Sequence, residues 1–206
     1  MITNWGYTFD ESVTSLPDML TVDEFNTYTG GKYSGETERI TAEITAACAS
    51  IRNFVGWHLY PSEPCEFDTL ILDRRITPVG CDLLIQLPAR VVSSVTSVTI
   101  DGVEYTDFHA DQNGLLRVFD VPHQDRRALV EVIYTAGLTD DMAAAIKELI
   151  AHRVTHSLAV PSGITSEASG GVSVTYNANW INNSRATALA GNDKELLIPY
   201  KVQGVF

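Results

Sequence analysis

The sequence predicts an α+β fold: a helical core of two long helices plus a short one, an inserted antiparallel β subdomain, and an extended C-terminal arm. Three observations carry this reading. Ile40, Ile44, Cys48, Ile51 and Val55 form one apolar stripe at helical spacing, and Ile146, Leu149, Ile150, Val154 and Leu158 form a second. Between them the pattern changes to alternation, with turn residues at intervals of about 8 to 12 positions, the signature of short antiparallel strands. Beyond the second stripe the chain is rich in Ser, Asn and Gly from Ser162 to Lys194, too polar to build a core of its own. The segments are therefore residues 1–60 (N-terminal segment and first part of the helical core), 61–136 (β subdomain), 137–163 (second part of the core) and 164–206 (the arm).

The first element starts at Thr21, where Thr21 to Glu24 has the form of a capping box and Leu20 and Phe25 stand at the positions of a hydrophobic staple. A short helix to about Thr29 follows, then a turn at Gly30, Gly31 and Gly35, then the first long helix, which Gly56 is placed to end. Trp57 to Pro64 reads as an exit loop. The clearest strand pair is the hairpin at Asp101-Gly102, which sets Ile100 opposite Val103 and Val98 opposite Tyr105 on one face, with Thr99 and Glu104 on the other. Leu115–Phe119 and Leu129–Tyr134 are further strands, and Thr69–Leu72 and Leu83–Leu87 are weaker candidates. After Gly137, Thr139 or Asp140 can cap the second long helix, and Asp140 and Asp141 suit its positive end. Pro161 and Gly163 stop it, and Gly170–Tyr176 is strand-like.

With 206 residues, 45% of them hydrophobic, the chain is long enough to bury a sizeable core. No stretch approaches the roughly 18 to 20 apolar residues of a membrane span, and residues 1–12 lack the basic start and apolar middle of a signal peptide. A soluble protein that folds in the cytoplasm where it is made, with no membrane partner, is the expectation. A net charge of -12, from 14 Lys and Arg against 26 Asp and Glu, repels polyanions and argues against ordinary nucleic-acid binding. Cys48, Cys65 and Cys81 have no metal or redox spacing and read as reduced structural thiols.

His152 and His156, at i and i+4, have the spacing by which a helix holds zinc, but Arg153 stands where a metalloprotease has its glutamate and no third ligand is evident. A surface or interface histidine pair is the better reading. Gly30-Gly31-Lys32 lacks the spacing of a phosphate loop, and Ser162 lacks the glycine elbow of a hydrolase nucleophile. No cofactor is expected. Trp5, Tyr7 and Phe9, and Trp180 in the polar tail, lie in segments too short or too polar to bury them alone, so docking on a neighbouring subunit is expected, ahead of packing back on the parent domain.

Several local sequences, in order, resemble the head-tail connector proteins of long-tailed bacteriophages, most closely head-to-tail adaptors with an inserted β domain. They are Leu20-Thr21-Val22-Asp23-Glu24-Phe25, the stretch from Ala49 to His58, Leu87-Pro88-Ala89-Arg90, the stretch from Val95 to Gly102, Val132 to Gly137, Ser166 to Val174, and Leu196 to Lys201. The resemblance spans about Leu20 to Tyr200 and implies a structural, non-enzymatic virion protein at the head–tail interface. It implies a homo-oligomeric ring, a dodecamer in the virion, between the portal protein above and a stopper or tail completion protein below. DNA would pass through the lumen without specific binding. The resemblance also takes the C-terminal segment to the portal, and Trp180, Leu196, Leu197, Ile198 and Tyr200 are the expected partner-binding residues. Pro199 interrupts that segment and argues against a continuous helix through Tyr200. Two alternatives stay open: another neck component, such as the stopper or tail completion protein itself, and a cytosolic enzyme whose site is assembled from distant residues.

Overall fold

The computed structural model describes residues 5–9, 13, 15–122, 127–159, 166–169, 172–175 and 189–202. The fold is α+β, and its residues cluster into two compact units. One comprises residues 1–17, 55–140 and 200–206 and holds the strands up to residue 136; the other comprises 18–54 and 141–199 and holds the helices.

In the helical unit, α1 (Val22–Thr29) opens with the expected capping box: Thr21 Oγ1 accepts from Glu24 N–H, and Thr21 N–H donates to Glu24 Oε2 at 2.8 Å. Gly30 closes it in the left-handed conformation, a shape that costs glycine little. The second helix, α2 (Thr37–Val55), buries Ile40, Ile44, Cys48, Ile51 and Val55, the stripe read from the sequence. Likewise α3 (Asp140–Ala159) buries Ile146, Ile150, Val154 and Leu158, with Leu149 half-buried. Within this unit Lys147 pairs with Glu24 at 2.8 Å, and Arg39 Nη2 donates to Ser157 O. Beyond α3 the described hairpin pairs β10 (Ser166–Ser169) with β11 (Val172–Thr175), and α4 (Gly191–Leu197) passes into a 3-10 turn, Ile198–Tyr200. The α-helical ladder thus ends ahead of Pro199, whose missing N–H cannot continue it.

In the β unit, β1 (Thr8–Phe9), β2 (Glu63–Leu70), β5 (Val92–Ile100), β6 (Val103–Glu104) and β9 (Leu129–Ala136) form a five-stranded antiparallel sheet in the order β1-β2-β9-β5-β6. A four-stranded antiparallel sheet runs β3 (Ile76–Val79), β4 (Asp82–Gln86), β8 (Leu115–Val118), β7 (Phe108–Ala110), in the order β3-β4-β8-β7. The register of the large sheet puts Cys65 opposite Tyr134, Phe67 and Val98 opposite Val132, and Ile100 opposite Val130, so one face collects buried apolar side chains. Asp101 and Gly102 both have positive φ, the primed turn that matches strand twist, and Ile100 pairs with Val103 as expected. Val103 itself is exposed, because β6 is an edge strand only two residues long.

Two sequence expectations change. Tyr7 and Phe9 are buried in their own unit and not held for a neighbour: Phe9 is opposite Cys65 in the pairing of β1 with β2. Burying Phe9 contributes about 2 kcal/mol of transfer free energy, more than a two-residue strand gains from its backbone bonds. The exit loop is also shorter than expected, since β2 begins at Glu63, with Cys65 and Phe67 inward and Glu66 and Asp68 outward.

The ends of the β segment meet where Glu63 pairs with Ala136. Gly137 follows at φ +131°, and a Cβ there would lie 2.2 Å from Pro61 O and 2.6 Å from Ser62 Cα, backbone atoms that cannot swing aside. Gly137→Ala should therefore lower stability by about 2 kcal/mol or more, read as a fall in the midpoint of urea unfolding at constant slope. Gly56→Ala, where φ is also positive but nothing lies within 4 Å, should cost less.

Candidate partner-binding surface

The residues with chemical potential are placed mainly for structure. His58 is wholly buried: its Nδ1 is 2.6 Å from Tyr7 Oη, its Nε2 is 2.9 Å from Ala136 O, and its backbone N–H donates to Tyr7 Oη. Both ring nitrogens are thus engaged, as a buried imidazole requires. Cys48 and Cys65 are buried, which pushes their thiols up to about 11 and about 12, far from the reactive thiolate range, whereas Cys81 is exposed.

His152 and His156 face each other with ring centroids 4.5 Å apart. Burial first, then the charges of His152 and Arg153, lowers the His156 pKa. Among the described residues no group of three or more His, Cys, Asp or Glu is arranged to hold a metal. Arg153 itself is buried and forms an ion pair with Asp193, whose carboxylate also accepts from Ala190 N–H at 2.8 Å and so caps α4. Burial lowers the Arg153 pKa as well.

That ion pair seats the segment that carries the expected partner-binding residues. Leu197 is fully buried and anchors α4 within its unit, while Leu196 and Ile198 on either side are exposed at 41% and 58%. Uncovered large aliphatic side chains so flank a buried one where α4 passes into the 3-10 turn. Tyr200 is half-buried, and Trp180 lies outside the described residues. In the β unit, Tyr200 O accepts from Trp57 Nε1 at 2.7 Å, Lys201 O accepts from Arg90 Nε at 3.2 Å, and Val202 N–H donates to Val55 O at 2.9 Å.

The sequence has no basic run, yet the fold brings Arg74, Arg75 and Arg90 to one cleft. The adjacent Arg74 and Arg75 in so acidic a chain are the only sign of it in the sequence. No described helix is long and apolar enough to cross a membrane.

The uncovered aliphatic residues and the open sheet edges are surfaces through which a chain of this kind can meet other proteins. Residues 18–183 match the family model of the head completion protein, and the chain belongs to that family of structural bacteriophage proteins, components of the virion. No curated protein matches the chain.

Two outcomes follow from this geometry. Asp193→Ala removes both the ion pair to the buried Arg153 and the bond that caps α4, and should lower stability by about 2 kcal/mol in a denaturant melt, whereas Leu196→Asp on the surface should change it by less than about 0.5 kcal/mol. The lowered pKa of His156 means that the unfolded chain takes up its proton first as pH falls. Its contribution is therefore present above the unfolded value, about 6.5, and is lost as pH drops through 6.5 to the lower folded pKa. His156→Gln should flatten the pH dependence of the melting temperature in that window.

Proposed function

We propose that the chain is the head-tail connector of a long-tailed phage, a ring subunit that joins the portal to the tail and leaves a channel for DNA. The observation that carries this is the head completion family match over residues 18–183, and the exposed Leu196 and Ile198 beside a buried ion pair support it. In this reading the buried stripes of α2 and α3 pack as the two-helix core of the ring wall, a dodecamer in the virion. The segment with Trp180, Leu196, Ile198 and Tyr200 reaches the portal, with Leu197 as its anchor, and the β subdomain of residues 61–136, completed by β1 and residues 200–202, is the second module. The net charge of -12 suits a lumen through which DNA slides, since a repulsive wall does not retain a polyanion. The opposite end of the ring meets a stopper or tail completion protein.

The test is capture by the purified portal of the same phage, followed by electron microscopy of the complex. Wild-type protein should bind and appear as a ring beneath the portal. Leu196→Asp with Ile198→Asp should keep its melting temperature and reduce capture at least about tenfold, the loss expected when an apolar contact centre is charged. Binding only to the tail end, with none to the portal, would overturn the connector reading in favour of a tail completion protein.

A further inference from the structure

Alternation along the four-stranded sheet separates two faces. Ile76, Leu83, Ile85, Leu116 and Val118 are buried, while Thr77, Leu84, Gln86 and Leu115 lie on the opposite face. That second face floors a cleft of about 330 Å3, with Thr77, Leu84 and Leu115 below and Arg74, Arg75 and Arg90 around it. Among the described residues no carboxylate lines it. Arg75 lies over the Phe67 ring at 5.8 Å, Arg90 spends its Nε on Lys201 O, and Arg74 is exposed. None of the three forms an ion pair among the described residues. Three arginines thus line a cleft that also has Leu84, Leu115 and Val202 in its wall, in a chain with almost twice as many acids as bases, and the chemistry suits a partner that is both acidic and apolar.

The same unit carries the complement. From Asp101 to Asp111 the chain has four carboxylates, Asp101, Glu104, Asp107 and Asp111, and no Lys or Arg. The first three are exposed and form no ion pair among the described residues, and between them Val103 is 58% exposed. This stretch includes β6, the outermost strand of the five-stranded sheet, so one edge of its backbone is open.

We propose that the arginine cleft of one copy receives the acidic edge Asp101–Asp107 of a second copy. Val103 lies on the floor of Leu84 and Leu115, and Glu104 and Asp107 meet the arginines. The two surfaces are different patches of one chain, so the contact is head-to-tail and repeats from copy to copy, the kind of association that closes into a ring when its rotation divides the circle. The inference rests on the ring reading and names the contact that would build it. Nucleic acid is the less fitting occupant, because the field of the whole chain repels it and the floor of the cleft is apolar.

The experiment uses the full chain, sedimentation at low ionic strength, and two charge-reversed variants, Arg74→Glu with Arg75→Glu, and Glu104→Lys with Asp107→Lys. Wild type should self-associate. Each variant alone should associate at least about tenfold more weakly, because its cleft and its edge then carry like charge. An equimolar mixture should regain wild-type association, since each reversed surface meets its complement on the other variant. Arg74→Glu alone, at an exposed position, gives the same reading with a smaller effect if the double variant melts early. A monomeric wild type, unchanged association in the variants, or a mixture that stays dissociated would each overturn the contact. So would a cleft variant that loses portal or DNA binding while its self-association stays intact. Portal capture by the wild type judges the connector reading separately, so either can fail without the other.

Discussion

The β unit depends on how His58 is satisfied. An imidazole fully removed from water costs several kcal/mol unless its nitrogens find partners, and here the two partners of His58, just after α2, come from places far apart in the chain: Tyr7 before the first helix and Ala136 at the end of β9. The bond to Tyr7 holds the N-terminal aromatics against the large sheet, where Tyr7 meets Phe9 and Tyr134 edge-on. The bond to Ala136 fixes the last residue of β9, next to Gly137, where a Cβ would lie 2.2 Å from the Pro61 carbonyl oxygen. One buried ring thus fixes how closely the chain's departure into the sheet and its return lie together.

Charge is distributed with a similar economy. The carboxylates outnumber the cations, yet the cations that fold inward have assigned tasks: Lys147 meets Glu24 of the capping box, and Arg153 meets the carboxylate that caps α4. At Glu24 burial alone would raise the pKa, but the bonds from Lys147 and Thr21 outweigh it and the net shift is downward. The arginines of the cleft stand apart from this pattern: Asp73 beside them accepts from the Arg75 backbone N–H, and among the described residues their guanidinium groups form no ion pair. A net charge of -12 opposes close packing of like surfaces, so a contact between copies of such a chain is favoured where the sign of the charge reverses.

Much of the fold was legible because its signals are local. The capping box at Thr21, the stripes of α2 and α3 and the Asp101-Gly102 turn each declare themselves within a few residues, and each stands where the sequence put it. The misreadings share one cause: β1 and the start of β2 have no local signature, since Phe9 and Cys65 gain their meaning only opposite each other. The strands β3 and β7 were missed for the same reason, being edge strands of four and three residues. Of the partner surface, the apolar run at Leu196–Ile198 was visible, but its sidedness was not: a run shows three aliphatic residues, and only the fold shows that Leu197 faces inward. The cleft was hidden because Arg90 joins Arg74 and Arg75 through tertiary structure alone.

The path of the chain has a consequence for synthesis. It passes from one compact unit to the other four times, at residues 17, 54, 140 and 199, so neither unit is a contiguous stretch. The β unit receives its last pieces from Tyr200, Lys201 and Val202, which bond Trp57, Arg90 and Val55. The sheet unit therefore gains its last contacts from residues made nearly two hundred positions after its first strand. A chain cut short before residue 200 leaves the Trp57 indole N–H and the Arg90 guanidinium without those carbonyls, so its sheet unit is the less stable for it.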